Sequence, residues 1–276
     1  MIDSRRAVRF DLEEPRKRLA VLIDADNAQA SVIEQLLTEI ATFGEATVKR
    51  IYGDFTSPQS ASWKKVLQRF AIKPVQQFAY TTGKNATDSS LIIDAMDLLY
   101  TRNFDGFCLI TSDSDFTGLA MRLREEGLTV LGFGERQTPD AFRNACHRFV
   151  FTEVLRASVE AIPDEAAPIK PVAAKTRPTK AVETLKVVEP AKPAIPSEFL
   201  LTALEQAVDE SGWATLARLG SLLIQLKPDF DSRLYGFKKL SDLVKANPAL
   251  FTLETRPVPG SQMWQCMCMR SSQRYR

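Results

Sequence analysis

Three acidic motifs in the sequence combine the residue types and the spacing of a site for a divalent cation. Their candidate members are Asp24, Asp26 and Asn27 in the first motif, Asp88 in the second, and Ser112, Asp113 and Asp115 in the third. Two carboxylates that stand two residues apart repel each other unless a cation or protons intervene. One aspartate of each pair can cap a following helix, but capping accounts for only one polar residue of each group. The motifs therefore predict a cation site.

The expected chemistry follows from these ligand types. Hard oxygen ligands select Mg²⁺ or Mn²⁺, which keep several waters and so leave room for a phosphate. Such a cation lowers the pKa of a bound water and neutralises charge that builds up on a phosphodiester. The chain has a single histidine, His147, so a ribonuclease that uses a pair of histidines is excluded. The expected metal ligands and catalytic groups are Asp24, Asp88, Asp113 and Asp115.

Alternating helix and strand signals supply the elements that must position these motifs. The predicted strands are Arg18–Asp24, Thr47–Tyr52, Lys73–Tyr80, Gly106–Ile110, Leu128–Phe133 and Arg148–Val154. The predicted helices between them are Ala30–Phe43, Trp63–Phe70, Asp88–Tyr100 and Phe116–Glu126. Nearly continuous apolar strands that alternate with helices predict an α/β fold, with a parallel sheet covered by helices on both faces. Ligands bind at the carboxyl ends of the strands in such sheets, where the first and third motifs lie.

The predicted helix Asp88–Tyr100 carries two further acids, Asp94 and Asp97. At about 100° per residue, Asp94 lies far around the helix from Asp88, and Asp97 lies on the opposite side. Only Asp88, in the first turn, can therefore point toward the site at the carboxyl ends of the strands. We interpret the other two acids as solvated or structural.

The composition divides the chain into domains. Proline, alanine, lysine and glutamate dominate residues 157–196, which bury too little apolar surface to offset their chain entropy and are predicted to be a flexible linker. Residues 1–17 are then an N-terminal extension, 18–156 the α/β domain, 197–270 a second domain and 271–276 a tail. In the second domain the predicted helices run from Ser197 to near Gly212, over Leu216–Gln225 and over Leu234–Lys245, before strands at Leu250–Thr255 and Met263–Met267. That order predicts a small winged helix.

The acidic motifs resemble those of the NYN family of PIN-like nuclease domains. The matching segments are LIDADN at 22–27, the Gly-Lys-Asn-x-x-Asp run at 83–88 and ITSDSDF at 110–116, in family order across about residues 18–155. The resemblance implies a Rossmann-like α/β fold and Mg²⁺- or Mn²⁺-dependent cleavage of RNA. By the same resemblance the metal-binding acids are Asp24, Asp88, Asp113 and Asp115, and the supporting residues are Asp26, Asn27, Ser112 and Lys84.

The C-terminal region resembles the OST-HTH domain, also called LOTUS. The residues that carry the resemblance are YGFKKLSDL at 235–243, Phe251 and the strand at Met263–Trp264, within about residues 196–268. The resemblance implies a winged helix that binds RNA, single-stranded or structured, or in some members protein. Lys238 and Lys239 are candidate phosphate contacts, although exposed lysines are common on any helix that packs its apolar residues into a core.

Composition and charge set further bounds. The formal charge of +2 on 276 residues is too small to indicate a nucleic-acid partner by itself. No run approaches the roughly 20 apolar residues of a membrane span, and no apolar segment follows the basic N-terminal residues, so we expect neither a membrane anchor nor a secretory signal. Cys108 lies in an apolar run, where a reduced and buried thiol is the common case. We expect a cytoplasmic protein, and the oligomeric state is not indicated.

Two rival functions remain open at this point. A haloacid-dehalogenase-type phosphatase would use Asp24 as nucleophile and Asp26 as acid. Ala28, however, stands where that pattern has threonine or valine, and no later lysine with paired aspartates follows. A non-catalytic RNA-binding adaptor would keep the same fold and use a metal only to hold RNA. The intact set of acids argues against the adaptor.

Overall fold

The structure of the chain is a computed structural model. It describes residues 16–56, 61–78, 86–160, 194–257 and 264–270. The chain divides into two compact units between Leu155 and Arg156. The predicted tail, almost all of the N-terminal extension and most of the predicted linker lie outside the described residues. No helix in the described ranges has both the length and the apolar character that crossing a membrane requires.

The first unit contains one sheet of six described parallel strands. These are β1 (Arg18–Asp24), β2 (Glu45–Gly53), β3 (Lys73–Gln76), β4 (Gly106–Ile110), β5 (Thr129–Gly134) and β6 (Arg148–Phe151). Their order across the sheet is β3-β2-β1-β4-β5-β6, and every neighbouring pair is parallel. Strands β1 and β4 are buried along almost their whole length, as expected for a sheet that is covered on both faces.

Helices cover the sheet and enclose its core. They are α1 (Ile33–Ala41), α2 (Ala61–Phe70), α3 (Ala86–Tyr100), α4 (Thr117–Glu125), α5 (Asp140–Ala145) and α6 (Thr152–Glu160). Alternate residues of β1, among them Val21 and Ile23, join one core with Ile33 and Leu36 of α1 and Trp63 of α2. Helix α3 packs against β1 and β2 from the other face, because right-handed connections in opposite directions put helices on opposite faces. The predicted α/β fold class is confirmed.

The order of the strands reverses between β1 and β4. From β1 the chain runs outward to β2 and β3, and it then returns through α3 to β4, which lies beside β1. The connections that leave β1 and β4 therefore diverge and open a crevice at the carboxyl ends of these two strands. Asp24 ends β1 and Thr111 directly follows β4, so two of the acidic motifs stand at this crevice.

Helix α3 is attached to the sheet through Asp94. Arg50 Nη1 and Tyr52 Oη, both on β2, donate hydrogen bonds to the two carboxylate oxygens of Asp94. Tyr52 is fully buried, and burial raises the pKa of its hydroxyl well above the usual range, so the hydroxyl remains a donor. The interpretation of Asp94 as structural is confirmed, and Asp97 is exposed.

The second unit combines three helices with a small antiparallel sheet. In chain order its elements are α7 (Ser197–Ala207), β7 (Ala214–Thr215), α8 (Leu216–Leu226), α9 (Leu240–Lys245), β8 (Phe251–Pro257) and β9 (Trp264–Arg270). The strand order is β7-β9-β8. Leu204 of α7, Leu223 of α8, Leu243 of α9 and Phe251 of β8 share one core. This arrangement has the outline of a winged helix.

One predicted helix of the second unit is wrong. Helix Leu234–Lys245 was predicted as continuous, but a short 3-10 helix at Ser232–Tyr235 ends at Gly236, and α9 begins only at Leu240. Gly236 has a left-handed φ of 87°, which glycine adopts without a steric penalty and which ends a helix. Lys238 and Lys239 therefore lie in the connection before α9.

Other boundaries of the elements were also predicted wrongly. Strand β3 ends at Gln76, not at Tyr80, which lies outside the described residues. Thr152 begins helix α6, whereas the prediction continued strand β6 to Val154, and α6 extends to Glu160 within the predicted linker. Helix α5 was not predicted, because six residues are too few to show a helical period.

The attachment of α3 predicts a stability effect. We expect Asp94→Ala to lower the free energy of unfolding of the first unit by about 2–3 kcal/mol, because it leaves Tyr52 Oη buried without its acceptor and Arg50 without its partner. Asp97→Ala, on the exposed side of the same helix, should change it by less than about 0.5 kcal/mol. Urea unfolding, followed by hydrogen exchange of the α3 amides, distinguishes unfolding of the first unit from unfolding of the second. Equal effects of the two substitutions would contradict the role of Asp94.

Candidate metal centre at the carboxyl edge of the sheet

Three carboxylates meet at the crevice. One oxygen each of Asp88, Asp113 and Asp115 lies within 4.8 Å of the other two. Asp88 stands in the first turn of α3, Asp113 in the turn after β4, and Asp115 in the short 3-10 helix Ser114–Phe116. Asp88 and Asp113 are half-buried and Asp115 is exposed, so the group is open to solvent on one side.

The carboxylates of this group are close enough to repel one another when they are ionised. The pKa of Asp88 is raised to about 6, first by burial and then by repulsion from Asp24, Asp113, Asp115 and Asp26, in that order. A bound cation would relieve this repulsion, and carboxylate oxygens are the ligands that Mg²⁺ and Mn²⁺ prefer. The residues present therefore fit a hard divalent cation.

Asp24 has a different environment from the other acids. It has no exposed surface, and its Oδ1 accepts the backbone N–H of Asp26 at 3.0 Å. Its Oδ2 accepts Asn27 Nδ2 at 2.7 Å and Thr111 Oγ1 at 2.9 Å. Burial raises the pKa of Asp24 and these hydrogen bonds oppose the rise. Among the described residues Asp24 is not a member of the three-carboxylate group, so its role as a metal ligand stays a prediction.

Thr111 links the first and third motifs, although it was not among the residues predicted for the cation site. Its hydroxyl donates to Asp24 Oδ2, and its Oγ1 accepts the backbone N–H of Asp113 at 3.1 Å. A hydroxyl can donate and accept at the same time, which lets one side chain join the two turns. The sequence feature that could have indicated this role is the position of Thr111 between a buried strand and an acidic motif.

The two Asp-x-Asp motifs adopt the same local turn. Asp24 accepts the N–H of Asp26, and Asp113 Oδ1 accepts the N–H of Asp115 at 2.9 Å, in each case from the residue two positions later. This turn is a conformation that aspartate favours after a strand. Asp113 also caps the 3-10 helix, as the capping alternative proposed. Capping leaves the second acid of the motif, Asp115, unexplained.

The supporting residues are distributed around this crevice. Asn27 contacts Asp24, whereas Asp26 is exposed and acts on Asp88 through its charge. Ser112 Oγ accepts the N–H of Glu135 at 2.9 Å and so joins the turn after β4 to the end of β5. Lys84 lies outside the described residues.

A close backbone approach shapes the end of β2. A Cβ added at Gly53 would lie 2.7 Å from Ala25 Cβ, a contact that real side chains do not make. Any larger residue at position 53 would therefore push against the turn Asp24–Asn27. No local pattern in the sequence indicates this constraint, because it arises only when β1 and β2 lie side by side.

In the second unit, Lys238 and Lys239 are both exposed. The carbonyl of Lys239 accepts the N–H of Asp242 at 3.1 Å, and the residue precedes the first turn of α9. The ammonium groups therefore project from a connection whose backbone is held by the following helix. Such a position suits phosphate contacts, which remain a prediction.

Comparison with known proteins identifies two domains. The profile of the NYN domain matches residues 18–155, and that of the OST-HTH/LOTUS domain matches residues 192–261. The NMR structure of an uncharacterized protein from Nitrosomonas europaea is 45% identical over 35% of this chain and 91% of that one, with a TM-score of 0.28. A crystal structure of a protein of unknown function from Vibrio parahaemolyticus is 17% identical over 50% of this chain and 94% of that one, with a TM-score of 0.43. The search of curated proteins found no match.

The raised pKa of Asp88 predicts how stability depends on pH when no metal is bound. Its folded-state pKa of about 6 exceeds the value of about 3.9 for an unfolded aspartate. The folded protein therefore binds the extra proton, and the free energy of unfolding falls as the pH rises from about 4 to about 6. Asp88→Asn removes this loss, so we expect the variant to be about 1 kcal/mol more stable than wild type at pH 7, after solvent screening.

Urea unfolding in EDTA between pH 4 and pH 7.5 measures this difference. The advantage of Asp88→Asn should disappear toward pH 4, where Asp88 of the folded wild type is protonated. Asp97→Asn, an exposed position on the same helix, is the matched control and should show no such trend. An advantage of Asp88→Asn that is the same at all pH values would contradict the electrostatic explanation.

Proposed function

Because the chain belongs to the NYN family of PIN-like nuclease domains and carries an OST-HTH/LOTUS domain, we propose that it is a metal-dependent ribonuclease. The observation that carries the proposal is the convergence of Asp88, Asp113 and Asp115 within 4.8 Å at the carboxyl edge of the sheet. The reaction is hydrolysis of RNA phosphodiester bonds. The raised pKa of Asp88 supports the proposal, because a bound cation would stabilise the ionised carboxylates of this group.

The proposal assigns separate roles to the acids. Asp88, Asp113 and Asp115 hold Mg²⁺ or Mn²⁺, which when bound lowers the pKa of a water and offsets charge on the phosphodiester. Asp88 must be ionised to serve as a ligand, so a cation would have to compete with its proton below a pH of about 6. Asp24, with Asn27, orients the Asp113 turn through Thr111 and remains a candidate fourth ligand through Oδ1.

Three further residues have supporting roles in this proposal. Asp26 adds negative charge next to Asp88, and Ser112 fixes the turn after β4 to β5. Lys84, from the Gly-Lys-Asn-x-x-Asp run, is proposed to support the same pocket on the basis of the family resemblance alone.

The environment of Asp24 disfavours the phosphatase alternative. A nucleophilic carboxylate must reach the phosphorus of its substrate, but Asp24 has no exposed surface and accepts three hydrogen bonds from the protein. The adaptor alternative predicts the same fold and the same acidic group, so only a measurement of turnover separates it from the ribonuclease.

The OST-HTH/LOTUS domain is proposed to hold the RNA substrate. Domains of this kind bind RNA, and the exposed Lys238 and Lys239 are suited to contact phosphates. A linker that joins two RNA-binding modules raises their effective concentration on one RNA without a rigid groove. We place this activity in the cytoplasm and leave open a protein partner for the second domain.

A cleavage assay tests the nuclease. We expect single-stranded RNA to be cut by the wild type with Mn²⁺ or Mg²⁺ and not in EDTA. The double variant Asp113→Asn, Asp115→Asn should lose at least about 100-fold in rate, because it removes two of the three cation ligands. The double variant Asp97→Asn, Glu125→Gln changes the net charge equally at exposed sites and should remain active. RNA binding without cleavage in any metal would replace the ribonuclease with the adaptor.

The second domain yields a separate prediction for RNA affinity. Lys238→Ala with Lys239→Ala should weaken binding about equally for all RNA sequences, because phosphate contacts are independent of base. A plot of the logarithm of the association constant for single-stranded RNA against the logarithm of the salt concentration has a negative slope. Its magnitude should decrease by about 1.4, or 0.7 for each lost contact. Arg16→Ala with Lys17→Ala removes the same charge at the amino edge of the sheet and serves as the control. Equal slopes for both variants would remove the two lysines from the interface.

A further inference from the structure

A turn outside the three acidic motifs lies at the carboxyl edge of the sheet, directly after β5. The carbonyl of Glu135 accepts the backbone N–H of Thr138 at 2.9 Å and the hydroxyl of the same residue at 2.6 Å. Thr138 is buried, although it is polar. Arg136 donates its backbone N–H to Glu153 Oε1, on α6, at 3.0 Å. The turn is therefore fixed both by its own hydrogen bonds and by a neighbouring helix.

The backbone of this turn packs against the turn of the third acidic motif. Glu135 donates its N–H to Ser112 Oγ at 2.9 Å. A Cβ added at Gly134 would lie 2.5 Å from the carbonyl oxygen of Thr111, so only glycine allows the two backbones to approach this closely. The turn after β4 is therefore held from the side of β5 as well as from the side of β1.

The side chain of Glu135 reaches the turn of the first acidic motif. Its Oε1 accepts Gln29 Nε2 at 3.0 Å, over 106 positions of the chain, and its Oε2 accepts Gln137 Nε2 at 3.0 Å. Because β4 lies between β1 and β5, the contact with Gln29 passes over the carboxyl end of β4. Within the described range 16–56, Gln29 stands at the N-cap of the 3-10 helix Ala30–Val32 without capping it through its side chain.

Two separate links thus join the turns of the first and third motifs. The inner link passes through the hydroxyl of Thr111, and the outer link runs from Gln29 through Glu135 to Ser112. A single link leaves two turns free to rotate about it, whereas a second link fixes their relative orientation. Groups that orient the ligands of a metal without touching it strongly influence how tightly the metal binds.

We propose that Glu135 is a positioning residue of the candidate metal site, which holds the turn of the first motif in the orientation that cation binding at the third motif requires. This inference rests on the proposed ribonuclease function and adds a residue outside the acidic motifs to its site. Both carboxylate oxygens of Glu135 accept hydrogen bonds from neutral amides. The side chain therefore acts through the geometry of its contact with Gln29, and its charge is not required.

The affinity of the full chain for Mn²⁺, measured from the electron paramagnetic resonance signal of the free ion, tests this role without RNA. We expect Glu135→Ala to weaken Mn²⁺ binding by about 10- to 100-fold. Gln29→Ala should weaken it equally, and the double variant should bind no more weakly than either one, because both substitutions remove the same hydrogen bond. Glu135→Gln keeps an acceptor oxygen for Gln29 and should bind Mn²⁺ nearly as tightly as wild type.

Gln137→Ala is the matched control, because it removes an exposed amide that contacts the same carboxylate but does not link the two motifs. The positioning role is overturned if Glu135→Ala binds Mn²⁺ as tightly as Gln137→Ala or if the losses of the two alanine variants add in the double variant. It is also overturned if Glu135→Gln loses as much affinity as Glu135→Ala, since charge would then be the cause. Should Glu135→Ala not fold, Gln29→Ala and Glu135→Gln provide the same comparison.

The same measurement separates this inference from the ribonuclease. Metal-dependent RNA cleavage that persists alongside any of these contrary results would leave the ribonuclease intact and overturn the role of Glu135 alone. A wild-type chain that binds no Mn²⁺ would overturn both.

Discussion

A carboxylate that is removed from water must receive hydrogen bonds from the protein, and Asp24 is in this situation at the end of the central strand β1. Its donors are Asn27, the backbone of Asp26 and the hydroxyl of Thr111. Because Thr111 also accepts the amide of Asp113, one buried side chain fixes both the turn after β1 and the turn after β4. The geometry of the candidate metal site thus depends on an acid that is not a member of the three-carboxylate group.

Helix α3 brings the carboxylate of Asp88 to the carboxyl edge of the sheet, where its ionised form is disfavoured. Burial, and then repulsion from four neighbouring acids, oppose the ionised form of Asp88. The contacts of Asp94 with Arg50 and Tyr52 nevertheless hold α3 against the sheet. The apolar packing of the sheet and these polar contacts offset a local instability that a bound cation would relieve. Conflicts of this kind between stability and local charge are typical of functional sites.

In the function proposed for the chain, the first unit would cut RNA and the second would hold it. Contacts from Lys238 and Lys239 to phosphates are electrostatic, weaken with salt and do not depend on base identity. The break of the helix at Gly236 places the two lysines in a connection, where they project from a fixed backbone turn.

The sequence by itself determined the fold class and the edge of the sheet at which the acids stand, because strands buried on both faces must be nearly continuous in apolar residues and ligands lie where such strands end. It also placed Asp88, and not Asp94, at that edge through the helical period. Only the tertiary structure decided which carboxylates converge and which one is enclosed. The bond from Thr111 to Asp24 spans 87 positions of the chain and that from Arg50 to Asp94 spans 44. Local patterns do not encode such contacts, because they form only after the strands and helices have packed.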